Sequence, residues 1–464
     1  MVDANGNFIP DFGVIEICLV FIYLFIIFLI SSYIKNKNID QYPFYKFLRP
    51  ALFVKILGGI IFTLFYTYYY GSSDTHYYYL GTRGLNHLLL TNPSAFFSIL
   101  FNGRGLETFS YFSDSSDFWA WSYMYIRTNS FIVQALTMPF ALLGFNKFLL
   151  TVILLNCFCF IGHWKFFTMC QSLYPKIPKQ LIISIFFIPS VIFWGSGIMK
   201  DTYTLTSTLW FTYNFYMIFV KKKNIIANIF MICFNIFCLV EIKPYIFIVL
   251  LPGAFIWIFY NYSHTIKNKI VRFLFTPFTS LIGLMISVLL LNYFNKNLGD
   301  YFSMDQIITK AQVTQQDLIR EEAYGKHYYN IGTFDNSYSS LLKKAPISIV
   351  SGLFRPFIWE VQNVVMFISG IETLILFLVS LYIIIKVGFF RTIKFIFKEP
   401  LLIFSFLFVI SFSYSVGLSS ANFGALVRYR IPQLPFFVMG LFILHEKLKE
   451  LKIEKEENNL SLKD

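Results

Sequence analysis

Residues 191–205 read VIFWGSGIMKDTYTL, and the residues on either side are mostly apolar or aromatic. Two apolar stretches joined through a Gly-Ser-Gly turn describe a pair of helices meeting at a membrane boundary. An ionisable pair at that depth costs free energy that a purely structural hairpin avoids. Lys200 and Asp201 therefore need a reason. The two glycines of WGSG let the backbone turn tightly or approach a ligand, and Asp201 can cap the helix that starts at TYTL. A cap accounts for the aspartate and leaves the lysine, which reads as an anion contact.

The same pattern extends along the whole chain. Its residues are 56% hydrophobic and 14% charged, its mean hydropathy is +0.61, and uncharged runs of about seventeen residues or more recur. This composition describes an all-α, polytopic transmembrane helical bundle with about 11 to 13 spans. No polar stretch is long enough for a separate soluble core. The expected organisation is thus a single transmembrane domain over 1–446 and a charged cytoplasmic tail over 447–464. Outer loops are expected at 71–128 and 293–362, the second carrying a short helix near 305–323.

Candidate spans are 12–34, 51–70, 129–145, 148–168, 180–198, 202–220, 224–241, 244–260, 273–292, 363–386, 400–417 and 431–445. Lys and Arg collect in short loops, at 35–49, 176–179, 221–223, 267–272 and 386–398. The positive-inside rule places these loops, and the tail, in the cytoplasm. The formal charge of +13 is in this way an orientation signal, and no nucleic-acid partner is expected. An N-terminus outside and a C-terminus inside require an odd number of crossings, so one segment is not a full span. The segment 129–145, interrupted by Gln134 and Pro139, is expected to dip in and return. The first apolar run lacks a basic n-region and a cleavage site, and reads as a retained span. The six cysteines show no metal-like spacing and read as packing residues.

The polar clusters then fall on the outer side. SSDTHYYYLGTR offers Asp74 as a general base or divalent-metal ligand, with His76, Tyr77 and Arg83 beside it; an interfacial aromatic belt accounts for the tyrosines alone. EIKPYIF places Glu241 and Lys243 together, where they can neutralise each other. FRPFIWE and NFGALVRYRIP supply Arg355, Arg428 and Arg430, whose planar guanidinium suits phosphate and stays charged at a low-dielectric boundary. Snorkelling from a helix end explains one such arginine, not three. Glu16 and Glu372 are lone acids without an assigned partner. No GxxxxGK[ST] motif is present, which argues against ATP-driven transport.

SDTHYYY, PSVIFWGSGIMKD, IKPY, RPFIWE and NFGALVRYRIPQLPF follow one another in an order that resembles bacterial polytopic proteins of cell-surface polysaccharide assembly. The chain is similar in this to the membrane-embedded glycosyltransferases of the C fold, which include the dolichyl-phosphate-mannose protein mannosyltransferase type. The resemblance implies a polyprenyl-phosphate-linked sugar donor, a glycan or lipid acceptor, contact with membrane lipids, and a place in the inner membrane. It implies that Asp74 is the acid of the first outer loop; members of that fold often bind a divalent metal, for which Asp74 is the candidate ligand, although the paired acids of that fold are not present around it. Lys200, Asp201, Lys243, Arg355, Arg428 and Arg430, with His76, Tyr77 and Arg83, are expected to bind substrate. A second resemblance, to O-antigen polymerases, rests on the outer arginines. A transporter of lipid-linked oligosaccharide is the third expectation, and it predicts polar residues near mid-bilayer rather than gathered at one face.

Overall fold

The computed structural model describes residues 10, 12–71, 73–101, 103–112, 122–263, 285, 304–320, 328–332, 334–335 and 337–461. Among these the chain is helical, and the only extended pairing is an isolated bridge between Tyr328 and Asn422. Among the described residues, seven helices are long and apolar enough to cross a membrane: Val14–Asn38, Pro43–Tyr70, Phe148–Leu173, Ile225–Ile242, Pro244–Tyr262, Met366–Val387 and Pro400–Ser419. An eighth arises if Phe423–Tyr429 and Leu434–Leu451, bent by 67° at their junction, form one span. The chain is a polytopic, all-helical membrane protein.

Several expected spans take other forms. The segment 129–145 is the shorter apolar helix Thr128–Leu143, with Pro139 inside it. The segment 180–198 is broken into Pro178–Phe186 and Pro189–Trp194, because Pro189 has no N–H to continue the ladder and disfavours helical geometry at the residue before it. The segment 202–220 is continuously helical from Lys200 to Lys221, but its threonines keep it below the apolarity of a span. The segment 273–292 lies outside the described residues, apart from Met285.

The chain packs as two compact units. The first comprises Met1–Met169, Val191–Asn214 and Ile229–Pro244. Here Gly58 lets the second span approach Pro189–Trp194, where a Cβ would collide with the carbonyl of Ile192, and Gly59 lets it approach Phe148–Leu173, where one would collide with the amide of Asn156. Backbone carbonyls freed in the turn after Trp194 are satisfied by side chains. Lys55 donates to Gly195 O, and the Asn156 amide donates to Ser196 O at 2.7 Å. Residues 201–212 of the following helix are all buried. A threonine-rich helix tolerates this because Thr204, Thr208 and Thr212 donate to carbonyls of the preceding turn.

Region 71–128 is not an extended polar loop. It contains Asp74–Thr91 and Pro93–Phe101, and its Leu85, Leu88, Phe96, Ile99, Phe112 and Tyr125 form an apolar core with Phe131 and Met138 of Thr128–Leu143. Helix Asp74–Thr91 lies along Thr128–Leu143, with Gly81 against the side chain of Gln134.

The second unit comprises Cys170–Ser190, Phe215–Asn228 and Tyr245–Asp464. The helix expected near 305–323 is Met304–Leu318, and a further helix, Tyr338–Phe354, follows it inside the expected loop. The latter packs along Pro400–Ser419 through small residues. A Cβ at Gly417 would overlap the carbonyl of Ser348, and one at Gly352 the carbonyl of Ser413. Gln433 pins this crossing: it accepts from Ser413 Oγ at 2.8 Å and donates to Gly352 O at 3.3 Å. At the N-terminal end of Pro400–Ser419, Glu399 meets Lys447 at 3.2 Å and Tyr174 Oη at 3.3 Å. Nearby Glu450 pairs with Lys176 at 2.8 Å, which holds that ammonium's pKa up.

Candidate functional site

Two polar clusters hold the residues of interest, one in each unit. In the first, Lys243 and Asp201 form a buried ion pair. This corrects the expected Glu241–Lys243 pairing: the ladder of Ile225–Ile242 ends just before Lys243, which frees its side chain to reach Asp201, 42 residues earlier. Asp201 sits inside the first turn of Lys200–Tyr216 rather than ahead of it. Its carboxylate is thus committed to an ammonium, and an end cap is not what explains it.

Lys200 is half-buried and donates to Asn129 Oδ1 at 3.0 Å. Beside Asn129, Thr128 Oγ1 accepts from Arg104 at 2.8 Å, and the Arg104 guanidinium stacks over Phe131, 4.4 Å from its centroid. Two cations therefore converge on the first turn of Thr128–Leu143, the positive end of its dipole. Burial lowers the Arg104 pKa, while the field of Tyr125 and Glu241 raises it. Arg104 escaped the sequence reading because GRG, at 103–105, resembles an ordinary loop.

Helix Asp74–Thr91 separates the four residues expected to act together. Asp74 and Tyr77 are half-buried on neighbouring positions of one side. At about 100° per residue, Arg83 lies on the opposite side and further along, its guanidinium 5.8 Å from the Tyr79 ring. His76 is fully buried; its Nε2 lies 3.0 Å from Thr67 Oγ1 and its Nδ1 3.3 Å from Ser73 Oγ. Burial pushes its pKa down to about 4, so the ring is neutral and helps fix the start of the helix. Asp74 stands in the first turn, where the helix dipole also favours a carboxylate. Among the described residues no three His, Cys, Asp or Glu side chains come together to hold a metal ion, so these residues do not fit the implied divalent cation.

The second cluster gathers Arg355, Arg430, Glu360, Glu372 and Tyr329. Glu372 is not alone. It accepts from the Ser190 N–H at 2.8 Å and from the Ser190 hydroxyl, and lies 3.6 Å from Arg430 Nη2. Arg430 is fully buried at the bend after Phe423–Tyr429, and its Nη1 donates to Arg355 O at 2.6 Å. Arg355, with 17% of its side chain exposed, pairs with Glu360 at 3.3 Å. Its guanidinium stands over the rings of Tyr329 and Phe357, at 4.6 and 5.7 Å. Phe357 stacks on Trp359, which is 76% exposed.

Among the described residues, four polar groups here have no hydrogen-bond partner: Arg355 Nη1, Arg430 Nε and Nη2, and Tyr329 Oη. Burying such groups unpaired costs about 1–3 kcal/mol each. Arg428 is half-buried on Phe423–Tyr429 and is not among them. Glu16, the other lone acid of the sequence, accepts from the Leu149 N–H at 2.8 Å. Comparison with family models, with curated proteins and with solved structures finds no match to this chain.

Proposed function

We propose that this chain is a membrane-embedded glycosyltransferase that takes a sugar from a polyprenyl-phosphate carrier at the outer face of the inner membrane, in the assembly of a cell-envelope glycan. The observation that supports this is the Arg355 environment: a half-buried guanidinium with an unused Nη1, next to the unused Arg430 Nε and Tyr329 Oη, beside the Phe357–Trp359 stack. Guanidinium N–H groups match phosphate oxygens, and aromatic faces match sugar rings. One site of this kind recognises both halves of a lipid-linked sugar phosphate. A multi-pass protein holds such a site at the depth where the carrier's phosphate lies.

In the transfer, the acceptor hydroxyl gives its proton to a carboxylate, and its oxygen bonds to the sugar's anomeric carbon. The bond from that carbon to phosphate oxygen breaks, and polyprenyl phosphate leaves with one more negative charge. Arginines placed against that oxygen stabilise the developing charge. Lys200 and Arg104, at the first turn of Thr128–Leu143, are a second cationic position, suited to an anionic acceptor or carrier group. The orientation rests on the basic loops, and puts the N-terminus outside and the C-terminus in the cytoplasm.

The decisive experiment compares lipid-linked glycans in cells with and without the gene, and then with Arg355→Gln, Arg355→Lys and Asp74→Asn. Accumulated polyprenyl monophosphate sugar in the deletion strain fits the transferase. Single repeat units left on the surface lipid would instead assign polymerisation, and unchanged glycans would remove both. Arg355→Gln and Asp74→Asn are expected to reproduce the deletion at normal membrane abundance, with Arg355→Lys partly active.

A further inference from the structure

Between the spans Met366–Val387 and Pro400–Ser419 the chain makes a separate ten-residue helix, Phe389–Lys398, FFRTIKFIFK. Gly388, at φ +87°, turns the chain out of the preceding span, and the single residue Glu399 leads into the next. At about 100° per residue its side chains sort into three faces. Thr392 is buried, with Phe395 and Ile396 half-buried beside it, and this face meets the protein. Next around the helix come Phe389, Ile393, Phe397 and Phe390, exposed by 57%, 37%, 65% and 84%. Then come Lys394, Lys398 and Arg391, all exposed, and the helix carries no acidic residue.

An apolar stripe of this kind is costly against water, at about 25 cal/mol for each Å². Its cover is identified by what adjoins it. Both ends of the helix run within one residue of a membrane span, so its axis is held at the membrane boundary. The cations border the apolar stripe on one side, as in helices that lie at the junction of headgroups and acyl chains. We propose that Phe389–Lys398 lies in the membrane plane with Phe389, Phe390, Ile393 and Phe397 among the acyl chains, and that Arg391, Lys394 and Lys398 bind the headgroups of anionic phospholipids. The partner is the bilayer itself, and its anionic component is selected. In the sequence these residues read only as one more basic loop, because their charge was visible and their arrangement around a helix was not.

The test uses the full-length protein with the photoreactive residue p-benzoylphenylalanine at 390 or 397, reconstituted in phosphatidylcholine vesicles containing phosphatidylglycerol. Position 25, on the exposed face of Val14–Asn38, serves as control. Irradiation is expected to give phospholipid adducts at all three positions. At 390 and 397 phosphatidylglycerol should exceed its mole fraction several-fold, since each cation near an anionic surface contributes roughly fivefold, whereas position 25 should show no selection. Arg391→Gln with Lys394→Gln and Lys398→Gln should bring the enrichment at 390 down to the control level. Adducts to protein instead of lipid would overturn the proposal. So would equal enrichment at 390 and 25, a comparison that needs no charge variant.

Discussion

Lys243 binds Asp201, a carboxylate 42 residues earlier in the chain and within the same unit. The Lys243–Asp201 contact is buried on both sides, with side chains 9% and 0% exposed, and removing one partner leaves the other charge stranded. Asp201→Asn is expected to cost roughly 3–5 kcal/mol. Glu241→Gln, at a half-buried site, should cost less than about 1 kcal/mol. Thermal unfolding of the purified protein in detergent reads the difference. Equal midpoints for the two variants would show that the buried pair does not hold the first unit together.

Lys200 is a separate case, because its bond to Asn129 leaves it half-buried at a helix start. Lys200→Gln should leave the unfolding midpoint within about 1 kcal/mol of the parent and raise the lipid-donor concentration for half-maximal activity about tenfold. Lys200→Arg should recover part of that loss. An unchanged half-saturation in Lys200→Gln would reduce Lys200 to a tether for Asn129.

The crossing of Tyr338–Phe354 with Pro400–Ser419 predicts a steric effect with no charge involved. Gly417→Ala drives a methyl group into the Ser348 carbonyl, and should destabilise by about 1–3 kcal/mol. Gly13→Ala, where nothing lies within 4 Å, should be neutral. Melting curves of the pair separate tight packing from a general intolerance of substitution.

His76 predicts a pH dependence. Its folded pKa, about 4, is below the ordinary 6.5, so the unfolded chain binds a proton first as pH falls. Stability is therefore lost between about pH 6.5 and 4, and the loss levels off once the folded state also protonates. The full effect is on the order of 3 kcal/mol. His76→Gln should flatten that part of the stability profile, and an unaltered slope in the variant would place the titration elsewhere.

The long spans were legible because twenty apolar residues in a row have few other uses. Positive charge marked a junction between helices at Lys222 and Lys223, whereas Lys35 and Lys37 lie in the last turn of Val14–Asn38, Lys46 in the short helix Pro43–Phe47, and Arg391, Lys394 and Lys398 in a helix of their own. What escaped was everything set by partners far apart in sequence. Ser190 and Glu372 are 182 residues apart, and Glu372 could be recognised only as a lone acid. Tyr338–Phe354 was hidden by Pro346, which suggests a loop until the small residues Ser348 and Gly352 are seen to serve a close crossing. In the site, the arginines were visible by type, but which N–H groups remain unused depends on carbonyls of other segments.

The bond between Glu16 and the Leu149 N–H has a consequence for the order in which the protein is made. Glu16 emerges from the ribosome 133 residues before its donor. Until synthesis delivers the start of Phe148–Leu173 the bond from Leu149 is not yet made, and the carboxyl lacks that share of its stabilisation in a hydrocarbon setting. The helix Val14–Asn38 is therefore expected to settle to its final depth only once that N–H is in place. A nascent chain arrested before Leu149 should accordingly sit shallower in the membrane than one released after it.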